Sequence, residues 1–167
     1  MKERNAGISP SARRLLFCQW AKMNKVMTCV FCRIIHGELK SRIVFEDAVS
    51  LAFLDHRPLF PGHCLLVPKN HYETLNDLPA ELIEPLFANA RLMARAIERA
   101  MEADGTFIAI NNRISQLVPH LHIHIVPRRK KDGLKGFFWP RHPYKDEADL
   151  LRTQQAIQKT VAQIRSE

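Results

Sequence analysis

The sequence predicts an α+β fold, five strands and one long helix, on three observations. Five short runs rich in branched and aromatic residues sit between turn signals. One stretch between the third and fourth runs repeats apolar residues at three- and four-residue spacing, the period of an amphipathic helix. The last run, Gln116 to Arg128, sets His120, His122 and His124 at alternate positions, with Leu121, Ile123 and Ile125 between and after them. A strand sends successive side chains to opposite faces, so it would collect three imidazoles on one face and three aliphatics on the other. A helix would scatter the histidines over about 400° of rotation. Three imidazoles in strict alternation point to a functional face.

The bulk composition agrees with a globular domain. Of 167 residues, 46% are hydrophobic and 25% charged, enough for one core. No apolar run approaches the ~20 residues of a membrane span. The net charge of +8 is uneven: residues 1–28 hold six basic residues against Glu3, leaving the remainder only +3. So mild a charge on the body makes the pI a weak argument for nucleic-acid binding, and a nucleic-acid partner is not expected. Cys18, Cys29, Cys32 and Cys64 could pair, but no apolar signal core with a cleavage site precedes them. The expected compartment is the cytoplasm, where a Cys-x-x-Cys reads as metal or redox chemistry.

Residues 1–27 carry no clean periodicity and are expected to be a disordered or artefactual extension, with Met23 or Met27 as the functional start. The main domain is expected over 28–145. It opens on Cys29-Val30-Phe31-Cys32, which by itself fits a redox pair, half a zinc site or two unconnected thiols. Ser41–Phe45 and Val49–Leu54 read as strands joined at Glu46-Asp47. Asp55 to Pro58 breaks the second strand, and Phe60-Pro61-Gly62 turns the chain into a third, His63–Val67, closed by Pro68. A helix is expected from Pro79 to about Ala103, burying Leu82, Leu86, Ala90, Met93 and Ile97, with Pro85 as a kink or effective start. Asp104-Gly105 should end it. Thr106–Ile110 and Leu121–Val126 are the last strands, with a polar loop between them. Arg128–Tyr144 interleaves basic and aromatic residues, which suits either base stacking or an anchored surface loop. Residues 146–167 read as a polar C-terminal helix.

Several motifs, in order, resemble the histidine triad (HIT) family of nucleotide hydrolases and transferases. They are Phe53-Leu54-Asp55-x-x-Pro58, Pro61-Gly62-His63, Val67-Pro68-Lys69-x-His71, Gln116-x-Val118, the run from His120 to Val126, and Val126-Pro127-Arg128. The resemblance spans residues 28–144 and implies the HIT-like fold. That is a five-stranded antiparallel sheet with one long and one shorter helix, pairing into a ten-stranded sheet in a homodimer. It also implies an enzyme that hydrolyses phosphorus anhydride or phosphoramidate bonds of a purine nucleotide substrate, whether a dinucleoside polyphosphate, a nucleoside phosphoramidate or an adenylylated small molecule. His122 matches the nucleophile, which attacks an α-phosphate to form a nucleotidyl-histidine that water then releases. An imidazole titrating near neutrality is a competent nucleophile. His124 and Gln116 match groups that hold phosphate oxygens, and His63 matches the group beside the leaving group. Asp55 matches the acceptor for ribose hydroxyls. Asn112 is a further substrate-side candidate, and Ile34, Ile35, Ile43 and Phe53 are candidates for the slot around the base. In some bacterial relatives Cys29, Cys32, His71 and His120 correspond to a structural zinc site. His120 is then both triad member and metal ligand.

Two departures stand out. Many relatives carry glycine in the loop before the triad, whereas Asn111-Asn112-Arg113-Ile114-Ser115-Gln116 has none. Leu117 stands where some place serine. Three other readings remain at this stage: a nucleotide-binding protein with little turnover, a zinc metallohydrolase using the triad histidines as ligands, and a nucleic-acid module built on Arg128–Lys145.

Overall fold

The computed structural model describes residues 28–134 and 143–164. Two compact units divide between Lys130 and Lys131. The expected N-terminal extension and the aromatic part of the basic loop, residues 135–142, lie outside the described residues. The first unit runs α1 (Val30–Ile35), β1 (Ile43–Glu46), β2 (Ser50–Leu54), β3 (Cys64–Pro68), a 3-10 turn (Leu75–Asp77), α2 (Ala80–Met101), β4 (Gly105–Ile110) and β5 (Ile123–Arg128). The described helix of the second unit is α3 (Glu147–Ile164), whose first turn is held by Asp146 Oδ1 accepting the Asp149 N–H at 2.7 Å.

The strands form one antiparallel sheet in the order β1-β2-β3-β5-β4. Each face carries a helix, which explains why β2 and β3 read as nearly continuous apolar runs. On one face α2 lays Leu86, Ala90, Met93, Ala94 and Ile97 over Ala52, Cys64, Leu66, Leu121, Ile123 and Ile125. On the other, α1 packs Phe31, Cys32 and Ile34 against Leu51, Phe53, Leu65 and Val67. The aliphatics of the alternating run therefore belong to the α2 core, and the histidines emerge on the α1 side.

Most element boundaries shift by one or two residues from expectation, and two of the shifts have a backbone reason. The ladder of β5 begins at Ile123 and not Leu121. Pro68, at the end of β3, has no N–H to give the Leu121 carbonyl, its own carbonyl accepts from His120 Nε2 at 2.9 Å, and the Leu121 N–H goes to the Tyr72 carbonyl at 2.6 Å. Helix α2 ends at Met101, with Glu102 left-handed at φ 50°, because Gly105 is already paired with Arg128 in the sheet. Pro85 lies inside α2, which continues through it at the loss of one backbone hydrogen bond.

The turn into β3 places His63. Phe60 accepts the His63 N–H at 3.0 Å, Pro61 occupies the second position, and Gly62 adopts φ +92°. This is a type II turn, whose third position favours glycine. A Cβ on Gly62 would also come within 2.7 Å of Met101 Cγ. Gly62→Ala should therefore destabilise the fold by about 1–3 kcal/mol, read as a lower urea midpoint at unchanged slope.

Candidate functional site

The three histidines of the triad sit in three different environments. His120 is fully buried, with Nε2 2.9 Å from the Pro68 carbonyl oxygen. That carbonyl can only accept, so Nε2 carries the proton and Nδ1 presents its lone pair. Nδ1 lies 3.5 Å from the sulfurs of both Cys29 and Cys32. His71 Nδ1 lies 3.3 Å from Cys32 Sγ. One donor atom from each of these four residues falls within 4.8 Å of all the others, so the cluster can hold a metal ion. Burial is the main reason the Cys32 thiol is pushed up to about 12, and the neighbouring Cys29 adds to it. The described cysteines are free thiols.

His122 faces a different partner. Its Nδ1 is 2.7 Å from the His120 carbonyl oxygen, which fixes the proton on Nδ1 and leaves the Nε2 lone pair unprotonated. Burial holds its pKa below the ordinary histidine value, against the pull of that hydrogen bond. Phe31 packs edge-on against it, with ring centres 5.3 Å apart and planes at 81°.

His124 completes a directed pair with His63. Leu59 donates its N–H to His63 Nδ1 at 3.2 Å, so the His63 proton is on Nε2. Nε2 is 3.0 Å from His124 Nδ1, which must accept, leaving the His124 proton on Nε2. Asp55 stands at the far end of this chain, Oδ2 3.6 Å from His63 Nδ1 and Oδ1 accepting the Arg57 N–H at 2.9 Å. Burial lowers His63 and pushes His124 down to about 4, where His122 and His63 add to the effect. The unfolded chain takes up the His124 proton near pH 6.5 and the folded chain only near 4. Stability present above pH 6.5 should thus be lost as pH falls toward 4, by about 3 kcal/mol at most for this residue. Urea unfolding at pH 7 and 5 should show the fall, and His124→Asn should make it shallower.

The substrate-side candidates divide. Ile34, Ile35 and Phe53 gather with Phe31 in the apolar cluster on the α1 face, whereas Ile43 is about half exposed on β1, paired to Phe53. Gln116 is engaged at both ends by backbone: Nε2 donates to Glu73 O at 2.6 Å, and Oε1 accepts the Arg113 N–H at 2.7 Å. Asn112 Oδ1 accepts the Leu75 N–H at 3.0 Å. Both side chains tie down the glycine-free loop, in which Arg113 and Ser115 take left-handed φ of 68° and 59°. The groups that sequence reasoning missed are the carbonyls of Pro68 and His120, the Leu59 N–H, and Phe31. Only Phe31 left a trace, as the aromatic between the two cysteines.

Among the described residues no metal-competent group contains all three triad histidines; His120 lies with the cysteines, and His124 with Asp55 and His63. A single ion held by the whole triad has no geometric support here.

A family model described as the HIT domain matches residues 36–131. The chain belongs to the HIT family. Among HIT relatives, Adenosine 5'-monophosphoramidase hnt1 of Schizosaccharomyces pombe is 33% identical over 122 residues, covering 72% of this chain and 90% of that protein. Adenylylsulfatase HINT3 of Arabidopsis thaliana is 39% identical over 108 residues, covering 64% of this chain and 55% of that protein. A solved Zn-bound histidine triad family protein from Mycobacterium smegmatis superposes with TM-score 0.63 at 37% identity, covering 78% of this chain and 99% of that one. The five-stranded antiparallel sheet and its helices are those of the HIT fold. No described helix is long and apolar enough to cross a membrane.

Proposed function

We propose that this HIT protein is a cytoplasmic nucleotide hydrolase or nucleotidyl transferase working through a covalent intermediate on His122. The observation that carries the reading is the 2.7 Å bond from His122 Nδ1 to the His120 carbonyl, which reserves Nε2 for attack. Nε2 attacks the α-phosphorus, forming a P–N bond as the bond to the leaving group breaks. The Nε2–H of His124 holds a phosphate oxygen, the leaving group takes a proton from solvent beside the His63–His124 pair, and the water that attacks in the second step returns one to solvent. Water then attacks phosphorus, the P–N bond breaks, and a nucleoside monophosphate leaves. Asp55 takes the ribose hydroxyls, and Ile34, Ile35 and Phe53 line the slot for a purine base. The relatives that cleave adenylylsulfate and adenosine phosphoramidate support an adenylylated small molecule as substrate class.

The same reading gives Cys29, Cys32, His71 and His120 a zinc ion. Tetrahedral zinc with sulfur at ~2.3 Å and nitrogen at ~2.0 Å sets donors about 3.5 Å apart. The observed sulfur–nitrogen separations of 3.3–3.5 Å fit that edge. The bond from His120 Nε2 to Pro68 also orients the ring for ligation through Nδ1. Four protein donors close the shell, so the ion supplies cohesion and no activated water. A second copy would add along β4, an edge of the sheet carrying exposed Ile108, to form a dimer.

The test is mass spectrometry on protein quenched during turnover of adenosine phosphoramidate or adenylylsulfate. A nucleoside monophosphate adduct on the peptide containing His122, absent from His122→Ala, is the expected result. Turnover without an adduct would overturn the covalent route. Binding of adenosine monophosphate without turnover of either substrate would favour a binding protein.

A further inference from the structure

The six residues of α1 have little reason of their own to be helical. The helix has no side-chain cap at Cys29 and no acidic residue in its first turn. A helix under two turns long is not stable by itself. Its position comes from its anchors: the sulfurs of Cys29 and Cys32 beside His71 and His120, and the apolar cluster beneath. Between the two cysteines stands Phe31, 6% exposed. Its ring meets His120 at 5.9 Å, Phe53 at 5.4 Å and His122 at 5.3 Å.

Two restraints on the His122 ring come from its own stretch of chain. The bond from Nδ1 to the His120 carbonyl fixes one atom but lets the ring tilt about that contact. The His124 ring, 4.9 Å away, comes from the same strand and moves with it. Phe31 is the described ring contact to His122 that another element supplies, and that element is the one the cysteines hold.

We propose that Phe31 is a positioning residue, through which occupation of the Cys29–Cys32–His71–His120 cluster sets the tilt of the His122 ring. A metal ion on the sulfurs draws α1 against His71 and His120, and Phe31 follows. Without the ion, α1 is left to its apolar contacts and the His122 ring gains freedom. The effect on turnover rests on His122 being the nucleophile; the effect on the ring does not. An obvious rival route runs from the ion through the His120 backbone directly to His122.

The experiment follows the His122 imidazole signals by NMR in nucleotide-free protein, zinc-loaded and after chelation, for wild type and Phe31→Leu. Phe31→Met is the second variant, should Leu lose cooperative unfolding or zinc stoichiometry. In wild type, chelation is expected to shift and broaden the His122 signals. In the variant they should start displaced with zinc still bound, and chelation should move them no further. Turnover of zinc-loaded Phe31→Leu should fall about tenfold, as expected for a nucleophile displaced by a fraction of an ångström. If the variant's signals respond to chelation as fully as wild type, the route is the His120 backbone and the proposal fails. If wild-type signals ignore chelation, it also fails. If the signals behave as expected but the wild type turns over neither substrate, it is the hydrolase reading that fails.

Discussion

His122→Ala is expected to lower kcat/KM for an adenylylated substrate by about 10^4-fold or more, while affinity for adenosine monophosphate changes by less than about tenfold. Removing a covalent nucleophile removes the reaction path, so the loss is of the order seen for such residues elsewhere, about 5 kcal/mol or more of transition-state stabilisation. The monophosphate needs none of that path. In the reading above it is held by Asp55 at the ribose, by the apolar cluster of Ile34 and Phe53, and by the His124 Nε2–H. Alanine leaves these in place, since His122 lies on the α1 side of β5 while Ile123 and Ile125 anchor the strand from the α2 side. Steady-state kinetics and calorimetry on the same preparation separate the two quantities. A parallel fall in both would mean that His122 serves binding, and the covalent route would lose its support.

Removing metal is the second large effect. A strong chelator is expected to lower the melting temperature by about 8–16 °C. Saturation at about a thousand times Kd contributes ~4 kcal/mol, and each kcal/mol moves the midpoint of a domain this size by about 2–4 °C. The four donors come from separate segments: Cys29 and Cys32 at the start of α1, His71 after β3, His120 before β5. Closing them together ties three distant parts of the chain, which is where a cross-link stabilises most. Burial keeps the Cys32 thiol protonated up to about pH 12 in the metal-free fold. Metal uptake must therefore release a proton there, and its apparent affinity should rise with pH. Scanning calorimetry with and without chelator checks the first point, and metal titration at two pH values the second. A midpoint unchanged by chelation would show that the cluster holds no stabilising ion.

The sheet was legible because its signals are local. Alternation in β5, turn residues at Asp47 and Pro61-Gly62, and the stripe from Leu86 to Ile97 each need only a few neighbouring residues to be read. The face assignment of the triad followed from the same period of two. What escaped was everything decided by a backbone group from elsewhere. No pattern in the sequence shows that Pro68 offers its carbonyl to His120, or that Leu59 gives its N–H to His63. Those two bonds choose the tautomers of His120 and His63, and through His63 that of His124, while the His120 carbonyl sets that of His122. Gln116 matches a substrate-side position of the family, and Asn112 is a candidate beside it. In the folded chain their amides brace a loop without glycine, which a sequence motif built on glycine-bearing relatives could not anticipate.

The two faces of β5 have a genetic consequence. Ile123 and Ile125 are buried in the α2 core, yet they hold the strand in the one register that turns imidazoles toward α1. Slippage by one residue would exchange the faces wholesale. A screen for loss of activity should therefore recover substitutions at these silent aliphatics alongside the histidines. Selection acting only on folding would preserve the chemistry as a by-product.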